Sequence, residues 1–407
     1  MIHWRAATVS STPPRGGRPP GPAAGRALDE AAFRPENRRV VVRSLLVLLL
    51  VLAALPAQAE ELIRVVVAEA LVSVKLTGEQ LSVREPVEEG QEELPLSPLS
   101  GGSVEVTPRG DGLRLGGHDL GPAAVIVAGK PLRMGDRVLS TVAVVERSGA
   151  TLRLIEELPL DDYVAGVLSG ELPASFPAEA QKAQAVAART YALVKKIEAE
   201  ASGRSWHLGA NVLSQVYAGA APNPAARAAA AATRGEVLVL GNEPVEAFFH
   251  SACGGRTERG ADALGRDLPY LVSVPCGRCN EAPGARWTLT RSGAELGKAL
   301  GLGGPVTALR VSEQTASGRV SRVELQVGGQ RTVLNGVELR QRLGWSRLPS
   351  LAFEVKERGG SFTFTGRGQG HGAGLCQWGA AGMAREGKSY REILRAYYPG
   401  TGLAKLY

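Results

Sequence analysis

One long segment, residues 177–201 (PAEAQKAQAVAARTYALVKKIEAEA), constrains the fold more than any other part of the chain. Its apolar positions recur at helical spacing and share one stripe, which consists of Ala180, Ala183, Ala187, Tyr191 and Val194. Because alanine dominates this stripe, the helix predicted here approaches its neighbours closely. Pro177 lies near the first turn, where proline is tolerated, and Ser175 is the predicted N-terminal cap.

The remaining segments predict an α+β fold, because strands and helices are segregated and do not strictly alternate. Residues 60–155 contain short β-type runs separated by glycine turns and read as a small β-rich N-terminal unit. Residues 156–407 are predicted to form a second domain of mixed sheets and Ala-rich helices. The helices predicted in it lie at 224–233, 337–343, 377–386 and 390–397, and the strands at 236–240, 245–251, 306–312, 321–327 and 362–365.

In the N-terminal segment, basic, apolar and small residues follow one another in the order that is typical of a secretory signal peptide. Basic residues at 38, 39 and 43 precede an apolar run at 45–55, and a small-x-small cleavage pattern follows at 57–59. We therefore predict a signal peptide at 38–59 and an exported protein of the periplasm or cell envelope. The alternative is an uncleaved segment that keeps the protein at the membrane. Residues 1–37, rich in Pro, Gly and Arg, are predicted to be a disordered extension.

The net charge of +7 does not indicate nucleic-acid binding. Residues 1–59 hold eight Arg and three acidic residues, so most of the basic excess belongs to the leader. The rest of the chain is nearly neutral and has no basic run, which argues against a nucleic-acid partner.

Glu171 is the candidate catalytic carboxyl. It follows the apolar residues Val164, Val167 and Leu168 and precedes the long predicted helix. A carboxyl at such a junction would be partly desolvated, which raises its pKa and allows proton donation near neutral pH. The alternative is an ordinary solvated glutamate in a loop. The neighbouring Asp161 and Asp162 are predicted to cap a turn.

The long helix carries further candidate binding residues. Lys182 and Arg189 are seven residues apart and share a face, as do Gln184 and Tyr191. Solvent exposure would explain Lys182, whereas Arg189 lies between Ala188 and Thr190 and could bind an oxygen of a glycan through its guanidinium.

Two pairs of metal-ligand residue types occur later in the chain. His250-x2-Cys253 is followed by Cys276-x2-Cys279, a spacing that fits a closed zinc site with one imidazole and three thiolates. Four protein ligands would leave no open position, so such a zinc ion would be structural. Disulfides, or a redox-active C-x-x-C pair, are the alternatives in an exported protein. The remaining cysteine, Cys376, is predicted to be a small buried apolar residue.

A glycine-rich segment, residues 366–374, precedes the helix predicted at 377–386. Its glycines permit positive φ and close approach of a ligand, and His371 projects from it as a candidate for substrate orientation or proton transfer. Gln377 opens the helix and is a candidate substrate ligand. A phosphate-binding loop is not indicated, because the strand-GxxxxGK[ST]-helix pattern is missing from the sequence.

Several of these motifs, in this order, resemble the SpoIID/LytB family over residues 104–407. The matching residues are Leu160, Tyr163, Gly166, Val167, Glu171, Pro177, 179–191, 215–217, Gly219, 253–255, Thr257, 269–271, Gly368, 370–372, Gly374, Gln377, 379–380, 393–394 and 397–400. The chain departs from the family pattern at Leu172, where a methionine is usual. It also departs at Ser214, where some members carry a zinc-binding cysteine.

The resemblance implies a SpoIID-like catalytic domain and a peptidoglycan lytic transglycosylase. Glu171 would protonate the oxygen between N-acetylmuramic acid and N-acetylglucosamine and then act as the base that gives a 1,6-anhydro end. The implied substrate is a glycan strand stripped of stem peptides, which implies a cell-wall amidase as a functional partner. No cofactor is expected for the chemistry. The alternative within the family is a non-catalytic, peptidoglycan-binding amidase enhancer.

Overall fold

The computed structural model describes residues 60–87, 94–209 and 215–407. The predicted leader segments, 1–37 and 38–59, lie outside the described residues, as does Ser214. Residues 61–406 make up one contact-dense unit, to which all elements below belong. Within the described ranges, no helix is both long enough and apolar enough to cross a membrane.

Eight helices and twenty-four strands form in the described residues, which confirms the α+β fold. The helices are α1 Leu160–Glu171, α2 Ala178–Ala201, α3 Pro224–Ala232, α4 Gly260–Leu264, α5 Gly293–Leu300, α6 Gly336–Leu343, α7 Gln377–Arg385 and α8 Tyr390–Tyr397. The N-terminal strands are β1 Leu62–Leu71, β2 Val74–Thr77, β3 Ser82–Arg84, β4 Ser97–Pro98, β5 Ser103–Arg109, β6 Gly112–Leu115, β7 His118–Leu120, β8 Ala123–Val127, β9 Arg133–Met134, β10 Arg137–Val138, β11 Val142–Ser148 and β12 Thr151–Pro159. The later strands are β13 Leu208–Gly209, β14 Glu236–Leu240, β15 Glu243–Pro244, β16 Phe249–His250, β17 Arg286–Ser292, β18 Val306–Gln314, β19 Val320–Val327, β20 Gln330–Asn335, β21 Phe353–Arg358, β22 Ser361–Arg367, β23 Leu375–Cys376 and β24 Gly402–Lys405.

The β-rich N-terminal region contains two sheets that share one apolar core. One sheet has the order β13-β1-β12-β11-β8-β3-β4, and the other has the order β10-β9-β2-β5-β6-β7. Alternation along the strands produces this core, since Val104 and Val106 of β5 are buried while Glu105 between them is exposed. They pack in the same cluster as Leu152 and Leu154 of β12. Strand β12 continues past the predicted boundary at residue 155 and leads directly into α1.

Helix α2 lies at the centre of the helical core and contacts α1, α3, α7 and α8. Ala180, Ala183, Ala187 and Tyr191 of the predicted stripe are buried, as close helix packing requires, and Val194 is half-buried. The predicted cap is wrong, because Pro177 is the N-cap residue and no side chain closes this end of the helix. Helix α1 was not predicted from the sequence, although its apolar residues Leu160, Val164, Val167 and Leu168 are all buried in the same core.

Residues 286–367 form a further region with its own core. Two three-stranded sheets, β17-β22-β21 and β18-β19-β20, pack with α5 and α6 around Phe362 and Phe364. Local sequence patterns predicted β18, β19, β22 and α6 approximately, whereas β17, β20, β21 and α5 were not predicted. The structure thus adds a third apolar core, formed by residues that lie in the sequence between the central helices and the C-terminal helices.

Candidate functional site

Glu171 is the last residue of α1, and neutral donors hold both oxygens of its carboxyl group. Its Oε1 accepts a hydrogen bond from the backbone N–H of Val216 at 2.8 Å. Its Oε2 accepts one from the Nε2 of Gln377 at 3.1 Å. The carboxyl group therefore has a fixed orientation without a cationic partner among these contacts.

Burial raises the pKa of Glu171 above its ordinary value, and the hydrogen bonds from Val216 and Gln377 offset only part of that rise. Desolvation disfavours the carboxylate, whereas donors favour it, and here desolvation has the larger effect. A carboxyl group in this state retains its proton to a higher pH than a solvated glutamate does.

Two glycines of α1 allow the segment 215–217 to reach Glu171. A Cβ at Gly170 would lie 2.4 Å from the carbonyl oxygen of Val216, and one at Gly166 would lie 2.3 Å from the Tyr217 ring. The Tyr163 hydroxyl donates to Gln215 Oε1 at 2.8 Å and fixes the same segment. The close approach therefore supplies the Val216 N–H to the carboxyl group.

A cavity of about 970 Å³ opens beside Glu171. Tyr191, Phe248 and His371 line the side formed by the helical core. Residues of the 286–367 region line it as well, among them Arg319, Arg340 and Trp345. The cavity is large enough for a small-molecule or oligosaccharide ligand, and it combines apolar walls with a few polar groups.

Two other acidic residues line the cavity, and both have strong donors. Glu258 accepts hydrogen bonds from Thr315 Oγ1 and Ser317 Oγ, each at 2.7 Å, and from the backbone N–H of Arg259 at 2.9 Å. Asp262 accepts from Arg259 Nε at 3.0 Å. Glu171 accepts fewer hydrogen bonds than Glu258 in these contacts and, unlike Asp262, accepts none from a guanidinium group.

The glycine-rich segment packs closely against protein, and its residues Gly370 and His371 also line the cavity. The φ angles of Gly368, Gly370, Gly372 and Gly374 are all positive, as predicted. A Cβ at Gly370 would lie 2.8 Å from the His250 Cβ, and one at Gly374 would lie 2.0 Å from the Phe248 carbonyl oxygen. These glycines let the segment lie on strand β16 and its neighbours.

His371 fastens this loop through both ring nitrogens. Its Nε2 donates to the Phe249 carbonyl oxygen at 2.8 Å, and its Nδ1 accepts from the Ala373 N–H at 3.2 Å. These partners assign the tautomer. Burial lowers the pKa of His371 to about 4, so the ring is neutral at pH 7. Although His371 lines the cavity, this geometry favours a structural role over the predicted proton transfer.

Four buried cysteines form one cluster, whose Sγ atoms all lie within 4.8 Å of one another: Cys253, Cys276, Cys279 and Cys376. All four are free thiols. Four sulfurs around a tetrahedral zinc ion, each at about 2.3 Å, would be separated by about 3.8 Å. The Sγ atoms of Cys253 and Cys279 are 3.6 Å apart, so the cluster has the size and the ligand type of a closed zinc site.

The fourth member of the cluster corrects the sequence prediction. His250 was the predicted ligand, but Cys376, predicted to be only a buried apolar residue, joins the three other cysteines. The parallel pairing of β16 with β23 explains this, because it places Cys376 opposite His250. The Nδ1 of His250 donates to the Ala373 carbonyl oxygen at 3.0 Å, and burial lowers the pKa of His250 well below its ordinary value.

Comparison with known proteins identifies the family. The stage II sporulation protein (SpoIID) model matches residues 139–240. Stage II sporulation protein D of Bacillus subtilis is 34% identical over 268 residues, which cover 62% of this chain and 76% of that protein. The chain belongs to the SpoIID family. A domain of unknown function (DUF8618) matches residues 285–374, which contain the third apolar core.

Other relatives agree with this assignment. An uncharacterized protein of Brachyspira hyodysenteriae is 34% identical over 258 residues, covering 62% of this chain and 68% of that protein. The amidase enhancer of Bacillus subtilis is 30% identical over 290 residues, covering 58% of this chain but only 40% of that longer protein. Membership of the SpoIID family supports a role related to the cell wall.

Arg189, one of the SpoIID motif residues, has a structural position. Its side chain is fully buried and forms a salt bridge with Asp161. It also donates to the carbonyl oxygens of Glu236 at 3.0 Å and Ala230 at 3.2 Å. The predicted contact with a glycan is therefore wrong for Arg189, whose donors face protein acceptors.

The other candidate binding residues are divided between the cavity and its surroundings. Tyr191 lines the cavity, and Gln377 contacts Glu171 directly. Lys182 forms a salt bridge with Glu179 at 2.7 Å and does not line the cavity. Gln184 is buried in the helical core, where its side-chain amide has no hydrogen-bond partner among the residues that the structure describes.

The sequence analysis missed the contribution of Val216 and of the 286–367 region. The Val216 N–H is a backbone donor, so no side-chain pattern indicates it. Arg319, Arg340 and Trp345 lie more than a hundred residues from Glu171 in the sequence and reach the cavity through tertiary packing. The glycines at 166 and 170 were the available signal, since their spacing marks a close approach to α1.

Proposed function

We propose that this protein is an exported lytic transglycosylase that cleaves the glycan strands of peptidoglycan between N-acetylmuramic acid and N-acetylglucosamine. The observation that carries the proposal is the Glu171 carboxyl group beside the large cavity, with a raised pKa and both oxygens held by neutral donors. This is the state that a general acid needs before it protonates a glycosidic oxygen.

The reaction uses one carboxyl group twice. The protonated Glu171 gives its proton to the bridging oxygen, and the bond from the muramic C1 to that oxygen breaks. The Glu171 carboxylate then takes the proton of the C6 hydroxyl group of the same sugar while the C6 oxygen bonds to C1. The products are a 1,6-anhydro end and a free hydroxyl group on the N-acetylglucosamine, and Glu171 regains its proton.

The other acidic residues that line the cavity support a one-carboxyl route. An inverting or retaining hydrolase needs a second carboxylate as base or nucleophile. Glu258 accepts hydrogen bonds from Arg259, Thr315 and Ser317, and Asp262 is paired with Arg259, so each of these carboxylates already holds neighbouring segments of the protein in place. We therefore assign the acid and base steps to Glu171 alone.

The proposed cofactor is a structural zinc ion at Cys253, Cys276, Cys279 and Cys376. Their four sulfurs would complete a tetrahedral shell, which leaves no position for substrate or water. When bound, the zinc ion would crosslink the buried chain segments that carry the four cysteines. The proton transfers would depend on Glu171 alone.

A non-catalytic amidase enhancer is the second candidate, and the relative that bears this name favours it. Such a protein would bind glycan strands and stimulate a cell-wall amidase without cleaving the strands itself. Both candidates have peptidoglycan strands as partner and require export, and neither involves nucleic acid. A membrane contact follows only if the leader segment is retained.

Mass spectrometry of digested glycan strands separates the two candidates. Purified protein is incubated with strands whose stem peptides have been removed, and we expect 1,6-anhydro ends to accumulate. Glu171→Gln should abolish them while circular dichroism and strand binding stay unchanged. Glu156→Gln, which alters a fully buried carboxyl group outside the cavity, is the matched control. Binding by wild-type protein with no anhydro ends would favour the enhancer.

A further inference from the structure

The cysteine cluster lies directly beneath the first turn of α7. Cys376 precedes this helix and caps it, since its Sγ accepts the Gly379 N–H at 3.3 Å. A Cβ at Gly379 would lie 2.5 Å from the Cys276 Sγ, so only glycine allows the helix to approach the cluster this closely. The start of α7 and the four sulfurs therefore form one packed unit.

Backbone N–H groups and one hydroxyl group contact the sulfurs of this cluster. The Cys253 N–H donates to the Cys376 Sγ at 3.2 Å, and the Tyr397 hydroxyl lies 3.3 Å from the Cys276 Sγ. Together with the Gly379 N–H, these contacts place backbone and hydroxyl donors around sulfur. Outer donors of this kind stabilise metal-bound thiolates and orient them.

The cluster is one residue away from the partner of Glu171. Gln377 follows Cys376 in the sequence, and its Nε2 donates to the Glu171 Oε2 at 3.1 Å. The backbone of the same turn is anchored by the Trp378 N–H, which donates to the Ser251 carbonyl oxygen at 3.1 Å. A displacement of Cys376 would therefore move the donor that orients the carboxyl group.

We propose that a zinc ion bound by the thiolates of Cys253, Cys276, Cys279 and Cys376 holds the first turn of α7 so that Gln377 keeps its hydrogen bond to Glu171. Gln377 is thereby a positioning residue, and the metal influences the acid only through it. Zinc binding displaces the thiol protons to solvent and changes no oxidation state. The inference rests on the proposed function only for its catalytic consequence, because the metal site and the contact exist without turnover.

Metal content and spectroscopy test the site itself. The full chain, purified without chelator, should contain one zinc ion per chain by mass spectrometry of metals. Its four thiols should react with a disulfide reagent only after unfolding and chelation. Replacement by cobalt(II) should give the thiolate charge-transfer absorption of a four-sulfur site, and Cys376→Ser should weaken it. Two disulfides with no bound metal would overturn the proposal.

The effect of Cys376 on Glu171 can be measured without an activity assay. The pKa of Glu171 is followed by the ¹³C NMR signal of its carboxyl carbon, assigned with Glu171→Gln. Because the Gln377 hydrogen bond lowers this pKa, Cys376→Ser should raise it by the same amount as Gln377→Met does.

Cys276→Ser is the matched control, because it also removes one thiolate but leaves Cys376 bound to the metal. Measured with saturating zinc and with the fold checked by circular dichroism, it should leave the Glu171 pKa unchanged. Equal shifts in both cysteine variants, or no shift in Cys376→Ser, would overturn the coupling. If wild-type protein binds zinc and shows the coupling but forms no anhydro ends, only the proposed function fails.

Discussion

Glu156, which is fully buried, and Glu171, which is half-buried, lie on one continuous strand–helix segment, yet their surroundings differ. Glu156 lies in β12, is fully buried, and accepts a hydrogen bond from the Ser140 N–H, with the Arg137 guanidinium nearby. Glu171 ends α1 and lines the large cavity. Burial raises the pKa of both carboxyl groups, and it raises that of Glu156 to about 7.

The difference shows that a raised pKa does not by itself identify a proton donor. Desolvation raises the pKa of any buried carboxyl group, whether the group serves the core or a site. A donor must also contact a space that a substrate can enter, and among these two residues only Glu171 lines the cavity. The comparison can be tested by changing each carboxyl group and the groups that hold it.

The largest expected effect is the loss of cleavage in Glu171→Gln. We expect the rate of anhydro-end formation to fall by at least about 10³-fold, because the variant has neither an acid nor a base at the reacting bond. Glu156→Gln should retain activity within about twofold, since its carboxyl group does not line the cavity. Comparable losses in both variants would mean that access to the cavity does not distinguish the two carboxyl groups.

Arg189→Met tests a third carboxyl group on the same segment, that of Asp161. Asp161 lies in the first turn of α1 and forms a salt bridge with the fully buried Arg189. Breaking a buried pair from one side destabilises a protein by about 3–5 kcal/mol. Urea denaturation should show a loss of this size, and Lys182→Met, which removes a partly exposed pair, should cost less than about 1 kcal/mol.

The contrast between Arg189 and Lys182 also shows that the sequence predicts a helix more readily than the environment of each side chain on it. Both cations lie on the predicted helix, and helical spacing alone assigned them to one face. The environment of Arg189 depends on α1, on the last turn of α3 and on the start of β14, which supply Asp161 and the carbonyl oxygens of Ala230 and Glu236. Local pattern predicted the helix correctly, whereas tertiary packing decided the role of each residue.

Helix α1 was missed for a related reason. Its sequence, LDDYVAGVLSGE, contains two glycines and valines that are poor helix formers. The helix forms because the glycines allow the segment 215–217 to pack on it, an interaction between distant parts of the chain. By contrast, α8 has a capping box at Ser389 and was predicted at its observed bounds, Tyr390–Tyr397.

The candidate metal ligands were also predicted only in part by local sequence pattern. The C-x2-C spacing correctly brought Cys276 and Cys279 together with Cys253. The choice between His250 and Cys376 depended on the parallel pairing of β16 and β23, two short strands far apart in sequence. Such pairing has no local signal, so the sequence alone could not place Cys376.

Glu156→Gln should change how stability depends on pH. The native carboxyl group has a pKa of about 7 compared with an ordinary value of 4.5, so the folded state binds its proton more tightly than the unfolded state does. Its stabilising contribution is complete below pH 4.5 and is lost as the pH rises through 7, by roughly 3 kcal/mol. The neutral glutamine removes this loss.

Thermal or urea unfolding at pH 5 and pH 8 measures this effect. Relative to wild type, Glu156→Gln should be more stable at pH 8 by up to about 3 kcal/mol and nearly equal at pH 5. An unchanged difference at the two pH values would show that the Glu156 carboxyl group does not hold its proton in the folded state. Glu156 would then not share a raised pKa with Glu171.

The smallest expected effect concerns Gln377→Met, which removes the donor to the Glu171 Oε2 with little change in volume. Because the acid step needs a protonated carboxyl group, activity falls as the pH rises through the Glu171 pKa. Loss of a hydrogen bond that lowers this pKa moves the alkaline limb of kcat/KM to higher pH, by up to about one unit. Glu156→Gln should leave the limb in place, because that residue does not contact Glu171 or the cavity. A shift to lower pH in Gln377→Met would mean that Gln377 stabilises the protonated form of Glu171. Burial would then not be the only cause of the raised pKa of Glu171.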